Sequence, residues 1–191
     1  MVVGLGNPGP RYEGTRHNVG FEVVRDLAQR WGLDRVREKH GGLLAEGRAG
    51  SGGPRVILFQ PLTFMNKVGR AAGPLRGSKR IPLDRVVAVH DEIDLPFGEV
   101  RTRLGGGLAG HNGLKSLDRE FGGSDFWRVR VGVGRPDSTD PEIVSAWVLG
   151  RFREDPVEVA DLVGRAADQT AELVGGIAGG EVDPGATGKQ S

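Results

Sequence analysis

The sequence predicts an α/β fold: a single domain with a mixed central β-sheet flanked by helices. Three observations carry this. Six short β-branched runs are bounded by glycine, proline or charge, and helical periodicities lie between them. Two of the runs, 85–90 and 99–104, are closely spaced, so some neighbouring strands are antiparallel. The chain has 191 residues, a length that suits one domain with its own core.

Taken in order, the strands are expected over 1–5, 42–48, 55–60, 85–90, 99–104 and 127–133. The first helix is expected over about 19–32, capped by Asn18, with Val19, Val23, Leu27 and Trp31 on one stripe. Shorter helices are expected over 66–76 and 112–121. The last one opens at Asp155-Pro156, an N-cap followed by proline at the first helical position, and its apolar stripe runs to a stop at Gly175-Gly176. Residues 179–191, GGEVDPGATGKQS, have almost nothing to bury. They are expected to be a disordered tail, leaving 1–178 as the domain.

Composition excludes several classes. With no cysteine there is no disulfide scaffold, thiolate zinc site or cysteine nucleophile. The N-terminus reads neither as a signal peptide nor as a transmembrane start, and the expected location is cytoplasmic. The 33 glycines and 11 prolines point to many tight turns, since apolar periodic segments recur between them. Net charge is +1, but residues 1–135 hold 22 basic and 14 acidic residues while 136–191 hold 4 and 11. A cationic body suggests a polyanionic partner.

Two strands sharpen that suggestion. Arg101 and Arg103 alternate with Val100, Thr102 and Leu104; Arg128 and Arg130 alternate with Trp127, Val129 and Val131. A period of two puts each arginine pair on one face. If the strands are neighbours, four guanidinium groups share that face, either as a solvated sheet surface or as a surface for a phosphate backbone.

Five stretches carry candidate chemistry. Gly4-Leu5-Gly6-Asn7-Pro8-Gly9 matches a dinucleotide fingerprint by letter, but Pro8-Gly9-Pro10 forbids the helix that a pyrophosphate needs. What remains is a rigid strand-end loop holding the Asn7 amide. His17 lies just before a helix start, where the dipole disfavours imidazolium, so a neutral, proton-accepting ring is expected. In Pro61-Leu62-Thr63-Phe64-Met65-Asn66, Phe64 is either core filler or a platform for a base, and Asn66 either a helix cap or a ligand amide. His90-Asp91-Glu92-Ile93-Asp94 ends a buried strand, where α/β sheets bind ligands. Its acids suit either the orientation of a histidine or a divalent metal, although the spacing matches no zinc motif. Finally, the glycine-rich run 105–110 leaves the backbone open to a ligand, and Asn112 either caps the next helix or offers its amide. Asn7, His17, Asn66, Asp91 and Asn112 can converge in one cleft. With no cysteine and no serine in a nucleophile elbow, water is the nucleophile this set favours. Histidine then acts as base, aspartate orients it, and the amides position a carbonyl: hydrolysis of an ester or similar acyl bond.

Together, GLGNPGPRYEGTRHNVGF, QPLTFMNKVG, HDEIDLPFG, RLGGGLAGHNGLKSL and FWRVRVGVGRP resemble, in that order, bacterial-type peptidyl-tRNA hydrolases. The resemblance covers about residues 1–150. It implies a three-layer α/β domain, mostly monomeric and without a cofactor or metal. The implied reaction cleaves the ester between a peptide and the 3′-terminal ribose of tRNA, releasing tRNA for reuse in translation. By that resemblance His17 is the base that activates water, Asp91 holds His17 in its basic form, and Asn7 distinguishes a blocked ester from free aminoacyl-tRNA. Tyr12, Phe64, Asn66 and Asn112 line the cleft for the peptide and the tRNA 3′ CCA end. Arg101, Arg103 and Arg130 face phosphates of the acceptor stem, and residues from about 136 to 148 resemble a mobile segment that closes over the cleft. Two stretches depart from the family's pattern. Met1 stands on the first strand, and the end, EVDPGATGKQS, lacks a basic, His-containing finish. Two rival readings remain: an RNA-binding protein without activity on the same fold, and a general esterase with no RNA requirement.

Overall fold

The computed structural model describes residues 1–182. Seven strands form one sheet: β1 (Val2–Gly4), β2 (Arg37–Lys39), β3 (Gly42–Arg48), β4 (Arg55–Pro61), β5 (Val87–Glu92), β6 (Val100–Leu104) and β7 (Trp127–Gly132). Their spatial order is β2-β3-β4-β1-β5-β7-β6. The four central strands, β4, β1, β5 and β7, are mutually parallel, and β2, β3 and β6 add antiparallel flanks, so the sheet is mixed as expected.

Helices α1 (Val19–Arg30) and α5 (Pro156–Gly179) pack together on one face of the sheet, and α2 (Val68–Ser78) and α3 (Asn112–Phe121) on the other. The alternation of the central strands divides the core. Val2, Val87 and Val89 point to the α1/α5 side, whereas Val3, Val86 and Ala88 point to the α2/α3 side. Being buried on both faces, β5 reads as an unbroken apolar run until His90. Helix α1 lies unusually close to β1 and β5. A Cβ on Gly20 would stand 2.3 Å from the Val89 carbonyl oxygen, so only glycine fits there.

The fold departs from the sequence reading at four places. Strand β2 was not foreseen, because Arg37, Glu38 and Lys39 are all exposed and carry no apolar signal. A further helix, α4 (Pro141–Leu149), not among those expected, lies in the segment likened to a mobile one that closes over the cleft; Asp140 caps it by accepting from the Glu142 N–H at 2.8 Å. Asp155 caps α5 through a full capping box, but α5 passes through Gly175-Gly176 to Gly179. It ends at Gly180, in the left-handed region at φ +71°. Beyond the helix, the tail expectation falls mainly on 183–191, outside the described residues. Lastly, Asn18 does not cap α1. Its side chain is spent elsewhere, and that difference belongs to the active site.

Candidate active site

A cleft of about 600 Å³ opens at the C-terminal ends of β1 and β5, where the first turns of α2 and α3 arrive. Asn7, His17, Phe64, Asn66, Asp91 and Asn112 all line it, joined by Met65, His111 and, on the far side, Val144, Val148 and Leu149 of α4. Tyr12 does not line the cleft. It stands one layer back, its ring edge-on to Phe64 with centroids 6.2 Å apart. A second cavity, of about 660 Å³, lies among Met1, Arg55, Lys79 and Arg85 at the opposite strand ends, away from every candidate catalytic residue.

Asn7 follows β1 in a loop fixed by Asn18. The Asn18 Oδ1 accepts the Asn7 N–H at 2.8 Å, and its Nδ2 donates to the Asn7 carbonyl at 2.9 Å. This double bond to the backbone explains why Asn18 leaves α1 uncapped. The Asn7 Oδ1 in turn accepts the Met65 N–H at 2.8 Å. That assignment turns the Asn7 Nδ2, a donor, toward the cleft.

Asp91, near the end of β5, is 2% exposed and receives two imidazoles. His17 Nδ1 lies 2.8 and 2.9 Å from its two carboxylate oxygens, and His111 Nε2 lies 3.0 Å from Oδ1. Burial alone would push the Asp91 carboxyl up, but His17 and His111 hold it well below the usual carboxylate range. An ionised Asp91 only accepts, so His17 donates from Nδ1 and keeps its lone pair on Nε2. The helix start was expected to disfavour the His17 imidazolium, but Asp91 acts in the opposite direction. Burial opposes its charge, yet the Asp91 carboxylate outweighs burial and raises the His17 pKa above the ordinary histidine value.

The local sequence does not single out His111. It offers Asn112 as a cap of α3, but His111 is the N-cap: its Nδ1 accepts the N–H groups of Gly113 and Leu114, at 3.1 and 3.4 Å. With Nδ1 accepting, the ring proton sits on Nε2 and is donated to Asp91. Asn112 is left exposed at the helix mouth. Gly113 packs closely behind it: a Cβ there would stand 2.5 Å from the Met65 sulfur and would have to displace that side chain. A histidine beside a helix start was the available signal. The adjacent asparagine is the commoner cap and masks it.

His90, also on β5, is buried. It donates from Nδ1 to the Asp91 carbonyl at 2.7 Å and meets His111 edge-on, with centroids 4.9 Å apart. Burial and His111 depress its pKa to about 3. The metal reading that paired His90 with Asp91, Glu92 and Asp94 is not what the fold assembles: Asp94 pairs with Arg135 at 2.6 Å, and Glu92 with Arg130 at 3.0 Å. His17, Asp91 and His111 do bring three donor atoms within 4.8 Å of one another. Those atoms already satisfy each other through ring protons, an arrangement suited to moving a proton.

The arginine strands are neighbours, with Arg101 opposite Arg130 and Arg103 opposite Arg128. The four do not act alike. Arg128 is buried and donates to the carbonyls of Gly107 and Gly106 at 2.7 and 2.9 Å, tying down the glycine-rich loop. Burial, with Arg103 and Arg130 nearby, lowers its pKa to about 10. Arg101 and Arg103 are exposed, and Arg130 is half-buried against Glu92 at the cleft edge.

A buried carboxylate, an imidazole with its free nitrogen toward a cleft, and amides around it define a hydrolase that uses water on an acyl bond. The comparisons with known proteins agree. Residues 1–180 match the family model described as peptidyl-tRNA hydrolase. A peptidyl-tRNA hydrolase of Geobacillus kaustophilus is 45% identical over 91% of this chain and 92% of its own length. One of Rhodospirillum centenum is 50% identical over 80% of this chain, which spans about two thirds (65%) of that longer relative. The crystal structure of peptidyl-tRNA hydrolase from Acinetobacter baumannii superposes with a TM-score of 0.82 at 36% identity, covering 97% of this chain and 91% of that one. The chain belongs to the peptidyl-tRNA hydrolase family.

Proposed function

We infer that this cleft hydrolyses the ester between a peptide, or an N-blocked aminoacyl group, and the 3′-terminal ribose of tRNA. The observation that carries the reading is the His17–Asp91 contact, which leaves the His17 Nε2 lone pair facing the cleft. His17 takes a proton from water as the water attacks the ester carbonyl, and Asp91 stabilises the imidazolium that forms. His111 donates to Asp91 Oδ1, which His17 also contacts, and steadies the carboxylate. The proton then passes from His17 to the departing ribose oxygen.

Asn7 supplies selectivity. Its Nδ2 donor suits the carbonyl of a peptide bond or N-acyl group, which a blocked ester has and a free aminoacyl ester lacks. A free α-ammonium would bring its own donors against it. Asn66 and Asn112, exposed at two helix mouths, suit the ribose and base of the 3′ end, and Phe64 with Tyr12 behind it offers a stacking face. Arg101, Arg103 and Arg130 suit acceptor-stem phosphates. The reading needs no cofactor and places residues 1–178 as a monomeric catalytic domain in the cytoplasm. Among the described residues, no helix is long and apolar enough to cross a membrane.

The test is release of tRNA from N-acetylaminoacyl-tRNA and from unblocked aminoacyl-tRNA, with the intact chain and with His17→Ala. Release from the blocked ester alone, reduced about a thousandfold in the variant, is the expected result. No release, with salt-sensitive tRNA binding retained, would instead establish the binding-protein reading. Turnover of small esters with no RNA dependence would establish the general esterase.

A further inference from the structure

The turn that holds His17 is joined directly to the helix that walls the cleft, and Arg16 is the joint. Arg16 and His17 share one 3-10 turn, Arg16–Asn18. The Arg16 N–H donates to the Gly150 carbonyl at 3.0 Å, and Thr15 bridges Arg151 in antiparallel fashion. The Arg16 side chain is only 2% exposed. Its guanidinium lies 3.9 Å from the centroid of the Trp147 ring, donates to the Arg151 carbonyl at 2.8 Å and meets Glu154 at 3.3 Å. Trp147 closes the other side, donating its indole N–H to the Gly134 carbonyl at 2.9 Å. Arg16 thus fastens the C-terminal side of α4, and Trp147, stacked on it, fastens the Gly134 end of the segment.

A buried guanidinium is costly unless it is paired and hydrogen-bonded, and the hydrolytic step gives it no task. The task lies in what it connects. Helix α4 contributes Val144, Val148 and Leu149 to the cleft, the apolar surface opposite Phe64 on which a peptide can lie. We propose that Arg16 is a positioning residue that couples a peptide seated on α4 to the placement of His17, so that peptide length is felt at the catalytic base. Any shift of α4 moves the stacked Trp147, then the guanidinium, then the turn bearing His17. The coupling rests on contiguous packing and hydrogen bonds. It also rests on the function proposed above.

The experiment compares kcat and KM for N-acetylaminoacyl-tRNA and for a tRNA bearing a peptide of about five residues. The enzymes are the intact chain, Arg16→Lys, Trp147→Leu and the double variant, with circular dichroism and melting curves confirming the fold. Arg16→Lys keeps the charge but loses the planar stack and the forked donation. The intact enzyme should favour the longer peptide. Each variant should lose about tenfold in kcat/KM for it, mostly in kcat because the placement of His17 is what the seated peptide sets, and less than threefold for the acetylated substrate. The double variant should be no worse than either single one. Equal losses on both substrates, as a merely structural role would give, overturn the proposal; so does an unchanged preference. If Arg16→Lys fails to fold, the half-exposed Trp147 carries the same test. An intact chain that cleaves neither substrate overturns the functional reading itself, an outcome distinct from cleavage without coupling.

Discussion

The floor of the cleft and its α4 wall are built on opposite principles. On the floor, Asn7 is held by Asn18 and Met65, Asp91 by His17 and His111, and His111 by the start of α3. Apart from the local cap at His111, these bonds link residues from 11 to 74 positions apart and lie largely out of solvent. The wall has no buried residue at all; Ile143 is 48% exposed and Leu149 39%. It is attached through Trp147, Arg16 and the residues just after it. Atoms that must meet a reacting bond within tenths of an ångström are fixed by crossed hydrogen bonds. The surface that must accept peptides of any sequence is apolar and lightly fastened. Substitutions should separate the two: floor changes strike the chemical step, and wall changes strike substrate preference.

The largest effect after loss of His17 itself is expected from Asp91→Asn. The amide can donate to His17 Nδ1, driving the proton to Nε2 and removing the free lone pair. We expect kcat to fall about a hundredfold, less than for His17→Ala. The pH profile gives a second reading. His17 must be neutral to act, so kcat/KM rises with pH through its pKa, which Asp91 raises. In the variant that support is gone, and the acidic limb should move to lower pH even as the plateau drops. A limb that stays in place would show that another group sets it.

His111→Asn isolates the second contact to Asp91. Asparagine still caps α3, as it commonly does, but the Nε2 donation to Asp91 is lost. The expected loss is about tenfold in kcat, with little change in melting temperature. His111→Ala should add about 1 kcal/mol of destabilisation from the missing cap, read by urea unfolding. A kcat unaffected by either substitution would confine His111 to the helix start.

Which parts of this were legible in the chain follows from where each signal lives. Strands buried on both faces announce themselves, as β5 does with Val86 to Val89, whereas β2 is written in Arg37, Glu38 and Lys39 and is defined only by its pairing with β3. Gly175-Gly176 looked like a stop because glycine disfavours helix. Tertiary packing carries α5 past it, with Val174 before the pair in the core and Ile177 after it packed against the same cluster. In the site, residue types suggested a histidine, an aspartate and amides at one sheet edge. That Asp91 meets His17 across 74 positions of sequence is a property of β5 lying beside β1, which no local spacing encodes. Asn18 leaves its expected cap for the Asn7 backbone, and His111 takes the cap of α3 expected of Asn112, for the same reason. Asparagine and histidine each have several uses, and the fold chooses among them.

The smallest effect at neutral pH, and the most specific, concerns His90. Folded, it stays neutral down to about pH 3; unfolded, it takes a proton near the ordinary 6.5. Between those values the unfolded chain binds more protons, so His90 makes stability rise with pH. It supplies up to about 1.4 kcal/mol per pH unit, and its contribution is complete above 6.5 and lost as pH falls toward 3. His17 works the other way. Its raised pKa gives stability that is fully present below the unfolded value and disappears as pH climbs through the folded one. Urea unfolding from pH 7 to 4.5 should therefore show a steep loss on the acid side. His90→Leu should flatten that slope by close to one proton while costing about 1 kcal/mol at pH 7, because the Asp91 carbonyl loses its donor. An identical slope in the variant would place the acid sensitivity in the carboxylates, and Asp91, held by two imidazoles on the cleft floor, would be the first of them to examine.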